Sequence, residues 1–595
     1  MVATGDVAGE KERARALARR LGQRLRPAVT AFARRPYRDR SDPSRLVRRW
    51  PDLIAICAAT LFFWLSLTPS LVPRPWYLQG VIGGITAAMG YAVGALLLWG
   101  LRPAAKRLFS WRPGERWRAR AWLAYYVLAF GLTAYWLSQS AHLQRKLRAL
   151  QHLPPTLTWH SLMIALIAVL LFTALLLLAR SVRLGTRALV RGLCRIVPRP
   201  VAVVLGIAVS ATVVVFGTRD VVFERGVIDV VSRIAASTDQ DTKDGIHRPR
   251  SPLVAGGPGS LLKWGQLGYE GRNFTGSALP ARQIRAVTGR PAKEPVRVYV
   301  GRRSASGYAA GARLAVRELE RTGAFDRKVL AIAGTTGMGW VNSTDAEPLE
   351  YLYGGDTAIV AMQYSYLPSW ASFLVDKEQA GRANRALVKA VRERWLQEPP
   401  KERPKLVVFG ESLGAYGIEA SFHGVDDLLS KVDGAVLVGS PEFSPVRSEI
   451  TARRDEGSPV WRPEFESGQN IRFAQYPERD LRRPSGVWGK PRVVYLQNAS
   501  DAIAWWTPDL AFSRPEWTKE PLGPDVTTEV DWFPLVTFWQ TTVDMAVAYG
   551  VDAPHGHRYG TGSVRAWASV LPPKGWTGTD TARLQHYMDR REAPY

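Results

Sequence analysis

The sequence predicts two unlike parts: a transmembrane bundle of α-helices, then a mostly parallel α/β sheet covered by helices on both faces. Three observations predict this. Five apolar stretches crowd the first 218 residues, at roughly 53–71, 80–100, 121–138, 158–178 and 200–217. The charge balance changes abruptly at the same point. Beyond residue 290, short apolar runs alternate with helix-patterned segments.

The fourth stretch, TWHSLMIALIAVLLFTALLLL, is uncharged and long enough to cross a bilayer, which takes about 20 residues. The second carries Gly90-x-x-x-Gly94, a spacing that lets a neighbouring helix approach closely. The third is broken by Tyr125, Tyr126, Tyr135 and Trp136, residues suited to an interface or a bundle interior. The basic segment 1–50 precedes the first apolar run, so no signal peptide is expected.

Residues 1–218 carry 31 Lys+Arg against 7 Asp+Glu, whereas 219–595 carry 48 against 45. Nearly all of the net charge of +27 therefore flanks apolar runs. Topology and anionic lipid explain it better than nucleic acid does, so no nucleic-acid partner is expected. Orientation follows from the connections. The N-terminal 50 residues hold 14 Lys+Arg, 101–120 hold 7 and 180–199 hold 6; the alternate loops 72–79 and 139–157 hold 1 and 3. With the heavy set inside, five crossings place everything after residue 218 outside the cell, as the catalytic part of a multi-pass membrane protein. No Asp, Glu, Lys or Arg lies within a span, which disfavours a transporter. The two cysteines, Cys57 and Cys194, allow no disulfide framework or cysteine zinc site in the second part.

The expected divisions are a cytoplasmic segment 1–50, a membrane domain 51–218, a connector 219–290 and a catalytic domain 291–595. Strands are expected at 296–300, 328–333, 357–365, 405–409, 433–439 and 492–497, with helices at 308–321, 376–396, 413–422 and 535–549. Apolar strands separated by helices indicate a parallel sheet covered on both faces. Residues 440–490 break the rhythm with Pro, Arg and Trp and read as a lid-like insertion.

The chemistry centres on KLVVFGESLGAYG, residues 405–417. Gly-x-Ser-x-Gly alone is weak evidence in a chain with 52 glycines. Here Ser412 follows a buried strand and precedes a helix, the strand–turn–helix setting that a nucleophilic serine on a sharp turn demands. The acid is expected after a later strand, and RVVYLQNAS leads to Asp501, which could otherwise simply cap the following helix. Elimination among eight histidines leaves His555 and His557, in PHGHRYG, as candidate bases. His557 is favoured, with Gly556 giving it freedom and His555 in support. The pair could also ligate metal, but no nearby third ligand supports that, and neither metal nor cofactor is expected. An oxyanion hole needs the Leu413 N–H and a second amide, for which the glycine-rich GTTGMGW offers Thr335 or Thr336. Trp505, Trp506 and the aromatic stretch 532–539 are candidates to line an acyl site.

The stretches RTGAFDRKVL, TTGMGWVN, QYSYLPSW, FGESLGAYG, VVYLQNASD and HGHRYG resemble the bacterial polytopic-membrane α/β-hydrolase family. The resemblance runs over about 50–595, with departures at Ala502, where the family pattern has proline, and Pro554, where it has glycine. It implies an N-terminal membrane domain, a C-terminal α/β-hydrolase fold and lipase- or esterase-like activity. The expected function is a serine ester hydrolase acting on an acyl ester, with envelope lipid foremost. Acyl transfer by the same residues, or a non-catalytic membrane scaffold, are the alternatives. Oligomeric state is not legible in the sequence.

Overall fold

The computed structural model describes residues 52–108, 114–157, 160–217, 220 and 228–595. The basic segment 1–50 and its expected cytoplasmic placement lie outside the described residues.

Among the described residues the first part folds into five helices: α1 (Leu53–Ser66), α2 (Trp76–Leu108), α3 (Glu115–Leu150), α4 (His160–Leu193) and α5 (Arg199–Phe216). Four are long and apolar enough to cross a membrane, within Trp76–Leu101, Arg116–Leu150, His160–Leu193 and Arg199–Phe216. The first of the about five expected transmembrane helices is shorter than the other four. The apolar run 53–71 is helical only to Ser66, giving 14 residues or about 21 Å, short of a hydrocarbon core of about 30 Å. Its remainder turns into a loop that touches the second part. The Gly90–Gly94 pair lies where α1 meets α2: a Cβ on Gly90 would sit 2.6 Å from Ala58 O, and one on Gly94 2.8 Å from Ala55 Cα.

The second part is built on a seven-stranded, all-parallel sheet in the order β1-β3-β2-β4-β5-β7-β6. Its strands are β1 (Val296–Val300), β2 (Val329–Gly334), β3 (Thr357–Met362), β4 (Lys405–Glu411), β5 (Gly434–Val438), β6 (Ile471–Ala474) and β7 (Arg492–Leu496). The strands are apolar on both sides because both faces are covered. Leu330, Ile332, Val408 and Leu437 enter one core, and Ala331, Ala333, Phe409 and Val436 the other. The central position of β4, between β2 and β5, sets Ser412 at the middle of the sheet's C-terminal edge.

Two boundaries differ from expectation because tertiary pairing overrides local pattern. The stretch 440–490, read as an insertion, supplies β6, whose four residues are too few to show a period. The second half of the connector 219–290 packs on the sheet as helices Gly268–Gly276 and Ala281–Thr288. Phe274 and Ile284 are fully buried there. Arg297 in β1 donates to Phe274 O at 2.7 Å while pairing with Glu350.

The parts meet at the loops 67–75 and 151–157, the two connections sparse in Lys and Arg, and at Met89 within α2, which accepts from Trp539. Arg74 Nε lies 2.8 Å from Asp544 Oδ1 with both side chains fully buried, and Ser70 also bonds Asp544. An unpaired buried ion costs several kcal/mol, so each part supplies the charge that makes burial of the other tolerable. Gln151 donates to Asp525 O at 3.1 Å, and Lys146 pairs with Glu529.

Candidate active site

Ser412 occupies a backbone conformation that non-glycine residues rarely adopt, φ 54° and ψ −123°. Strain of this kind persists only where the surroundings enforce it. Here β4 feeds directly into the helix α6 (Leu413–Glu419), and the turn between them is packed backbone to backbone. A Cβ on Gly410 would lie 2.6 Å from Gly414 C, and one on Gly414 would strike Gly334 O. The motif's glycines are therefore required by contact. Ser412 N–H donates to Val438 O at 2.8 Å, tying the turn to β5.

Asp501 follows β7 and His557 lies on a later loop. Their side chains meet at 2.6 Å, His557 Nδ1 to Asp501 Oδ2, and both are fully buried. Tyr559 OH donates to the same oxygen at 2.5 Å, while Asp501 Oδ1 accepts from Ile503 N at 2.9 Å. Asp501 thus caps its helix with one oxygen and holds the imidazole with the other. His557 Nε2 is buried and has no hydrogen-bond partner among the described residues. The ring packs on β5's end, where a Cβ on Gly439 would fall 2.7 Å from His557 Cε1. Ser412 and His557 therefore meet neighbouring residues at the end of β5, Ser412 at Val438 and His557 at Gly439.

His555 is placed differently. Its Nδ1 lies 3.1 Å from Asp525 Oδ2 and its Nε2 3.1 Å from Nδ1 of His152, in the loop after α3. Ser500 Oγ donates to Asp525 at 2.5 Å and accepts from Gly556 N at 2.7 Å. The two histidines face separate carboxylates and do not converge on a shared point.

Of the expected oxyanion donors, Thr336 N–H is engaged with Trp340 O at 3.0 Å, whereas the Leu413 and Thr335 amides donate to no backbone carbonyl among the described residues. Thr335 Oγ1 donates to Met362 O at 2.9 Å, holding the loop to β3. Trp505 is buried, donates to Ala499 O at 2.8 Å and stacks under Arg447; it is a packing residue. Trp506 belongs to an aromatic cluster, its ring 5.6 Å from Phe373 and 5.8 Å from Phe538. Ser440, the next serine after a strand, donates to the buried Glu419 at 2.8 Å.

Sequence reasoning missed a second carboxylate layer. Glu411, the variable residue inside the Gly-x-Ser-x-Gly motif, accepts from Asn342 Nδ2 at 2.5 Å and from Tyr549 OH at 3.4 Å. Tyr549 also sets its ring edge-on to His557, 5.0 Å between centroids. Burial holds Glu411 above the usual carboxylate range, although His557 opposes the rise. Burial and the neighbouring Glu411 charge push Asp345 well above it. For His557, burial alone would lower the pKa; the charge and hydrogen bond of Asp501, with Glu411 behind them, outweigh it and raise the group above 6.5. Glu411's place in the motif was the one available signal. Tyr549, Tyr559 and Asp525 carried none.

Residues 296–584 match a family model described as alpha/beta-hydrolase family, and residues 67–278 match the model of that family's N-terminus. Comparisons with curated proteins and with solved structures return no match. A strained serine after the central strand of a seven-stranded parallel sheet, and two models covering most of the chain, lead to one assignment: the protein belongs to this α/β-hydrolase family, with its N-terminal domain present.

Proposed function

We propose that the protein is a membrane-anchored serine ester hydrolase, with Ser412 as nucleophile, His557 as general base and Asp501 as the residue that orients and charges it. The observation that carries this reading is the buried His557–Asp501 bond at 2.6 Å, with His557 Nε2 without a partner among the described residues and its ring beside Gly439, the residue after the Val438 that holds Ser412 N–H. Ser412 Oγ attacks the acyl carbon and its proton passes to His557 Nε2. The oxyanion is held by the Leu413 and Thr335 amides. His557 then protonates the leaving alkoxide, and water repeats the sequence to release the acid.

The substrate is an acyl ester on the outer side of the membrane, with envelope lipid the leading candidate. Supporting that side, the catalytic domain docks on the connections sparse in Lys and Arg. A membrane-impermeant fluorophosphonate probe tests activity and side together. It labels the wild type on intact cells and does not label Ser412→Ala. Labelling that requires permeabilised cells reverses the topology, and equal labelling of both proteins removes the nucleophile.

A pH profile follows from the charges. The base must be neutral to accept a proton, so kcat/KM rises with pH through the His557 ionisation, above 6.5. Glu411→Gln deletes one charge that raises this pKa. The rising limb then moves to lower pH. A limb that stays in place, or moves up, excludes Glu411 from tuning the base.

A further inference from the structure

Helix α7 (Val536–Val547) is amphipathic in the inverted sense. Its buried residues are Val536, Thr537, Gln540, Thr541 and Asp544, four of them polar. Their polarity is used against the membrane domain: Asp544 binds Arg74 and Ser70, and Gln540 Nε2 donates to Thr68 O at 3.1 Å. The outward side reads Trp539, Thr542, Val543, Ala546 and, just past the helix, Tyr549, at spacings of three and four that form one stripe. The first three are half-buried and the last two exposed. A helix facing water places its apolar residues inward. This one does the reverse.

The ends of the stripe explain what it faces. At one end, Trp539 Nε1 donates to Sδ of Met89 at 3.0 Å. Met89 lies 13 residues into α2, about 20 Å along a membrane-crossing helix. At the other end, Ala548 O accepts from His557 N at 2.9 Å, and the Tyr549 ring stands edge-on to the His557 imidazole. The helix therefore runs from the side of a spanning helix to the candidate base, a distance of about 15 Å from Trp539 to Tyr549. Its outward side is half-buried from Trp539 to Val543, where Trp506 Nε1 donates to Thr542 Oγ1 at 2.8 Å, and exposed at Ala546 and Tyr549.

We infer that the outward stripe of α7 is a track along which the acyl chain of a bilayer-resident lipid ester passes from the membrane to Ser412 and His557. The inference rests on the ester-hydrolase reading and narrows its substrate to esters whose chains enter sideways from the bilayer. An alkyl chain lying against Trp539, Val543 and Ala546 is kept from water, so the stripe lets the ester leave lipid without exposing its chain.

The test uses the full-length protein in lipid nanodiscs containing a phosphatidylcholine with a diazirine at the end of one acyl chain. After photolysis, adducts are expected on peptides containing 539–549, in wild type and Ser412→Ala alike, because labelling needs no turnover. Ala546→Trp, which fills the stripe, lowers adducts at Tyr549 at least fivefold, whereas the near-isosteric Ala546→Ser keeps them. Adducts confined to α2–α5 overturn the track. Adducts from a water-soluble short-chain diazirine ester but none from nanodisc lipid place the entrance on the aqueous side and overturn it equally. With active protein, Ala546→Trp lowers the ratio of long-chain to short-chain ester hydrolysis about tenfold or more; an unchanged ratio overturns the track. If neither ester is hydrolysed by the wild type, the hydrolase reading fails on its own, and the adduct map still decides whether lipid reaches α7.

Discussion

Ser412→Ala is expected to lose about 10⁴–10⁶ in kcat on a soluble short-chain ester, the loss typical of removing a nucleophile from a working triad. The magnitude follows from what remains. The variant keeps the Leu413 and Thr335 amides and the His557–Asp501 pair, but it has no atom with which to form an acyl-enzyme. The fold is expected to persist. Only one oxygen is removed, the residue is 4 % exposed, and the turn is held by Gly410, Gly414 and Gly334 rather than by the hydroxyl. Matching melting temperatures with collapsed turnover are therefore the expected pair of measurements. More than a tenth of wild-type activity would remove Ser412 from its role. Ser440 would be a poor successor, since its hydroxyl is committed to Glu419 at 2.8 Å.

His557→Ala is expected to match that loss, and His555→Ala to lose about 10–100-fold, as changes behind a reacting group often do. The two differ in their free nitrogens. His557 has Nδ1 on Asp501 and Nε2 without a partner, as a base waiting for a serine proton requires. Both nitrogens of His555 are occupied, by Asp525 and by His152. Its loss loosens the loop through Ser500, which bonds both Asp525 and Gly556 N. Combining Ser412→Ala with His557→Ala should cost little more than either change alone, because the residues act as a unit. A dead His555→Ala beside an active His557→Ala swaps the roles. Activity in both variants leaves no triad of the proposed kind.

Much of this protein was legible in the chain because the relevant physics is local. Apolar runs of about 20 residues need lipid wherever they lie, and strands buried on both faces declare themselves as VLAIA or KLVVF. Gly410 and Gly414 mark a turn too tight for Cβ atoms, and the order Ser412, Asp501, His557 is linear information. Other features depended on partners far apart in sequence. The four residues of β6 become a strand only beside β7. Phe274 and Ile284 are core because β1 and its neighbours cover them. Glu411 looks like filler within its motif until Tyr549, 138 residues later, turns it into part of the His557 environment. What separates His555 from His557 in their surroundings is likewise tertiary, since two histidines in one tetrapeptide differ in which carboxylate they meet, Asp525 or Asp501. The inverted face of α7 has the same origin: Gln540 and Asp544 can point inward only because the loop after α1 brings Thr68, Ser70 and Arg74 to receive them. Periodicity tells which residues share a side of a helix, and long-range contact alone decides whether that side meets protein, water or lipid.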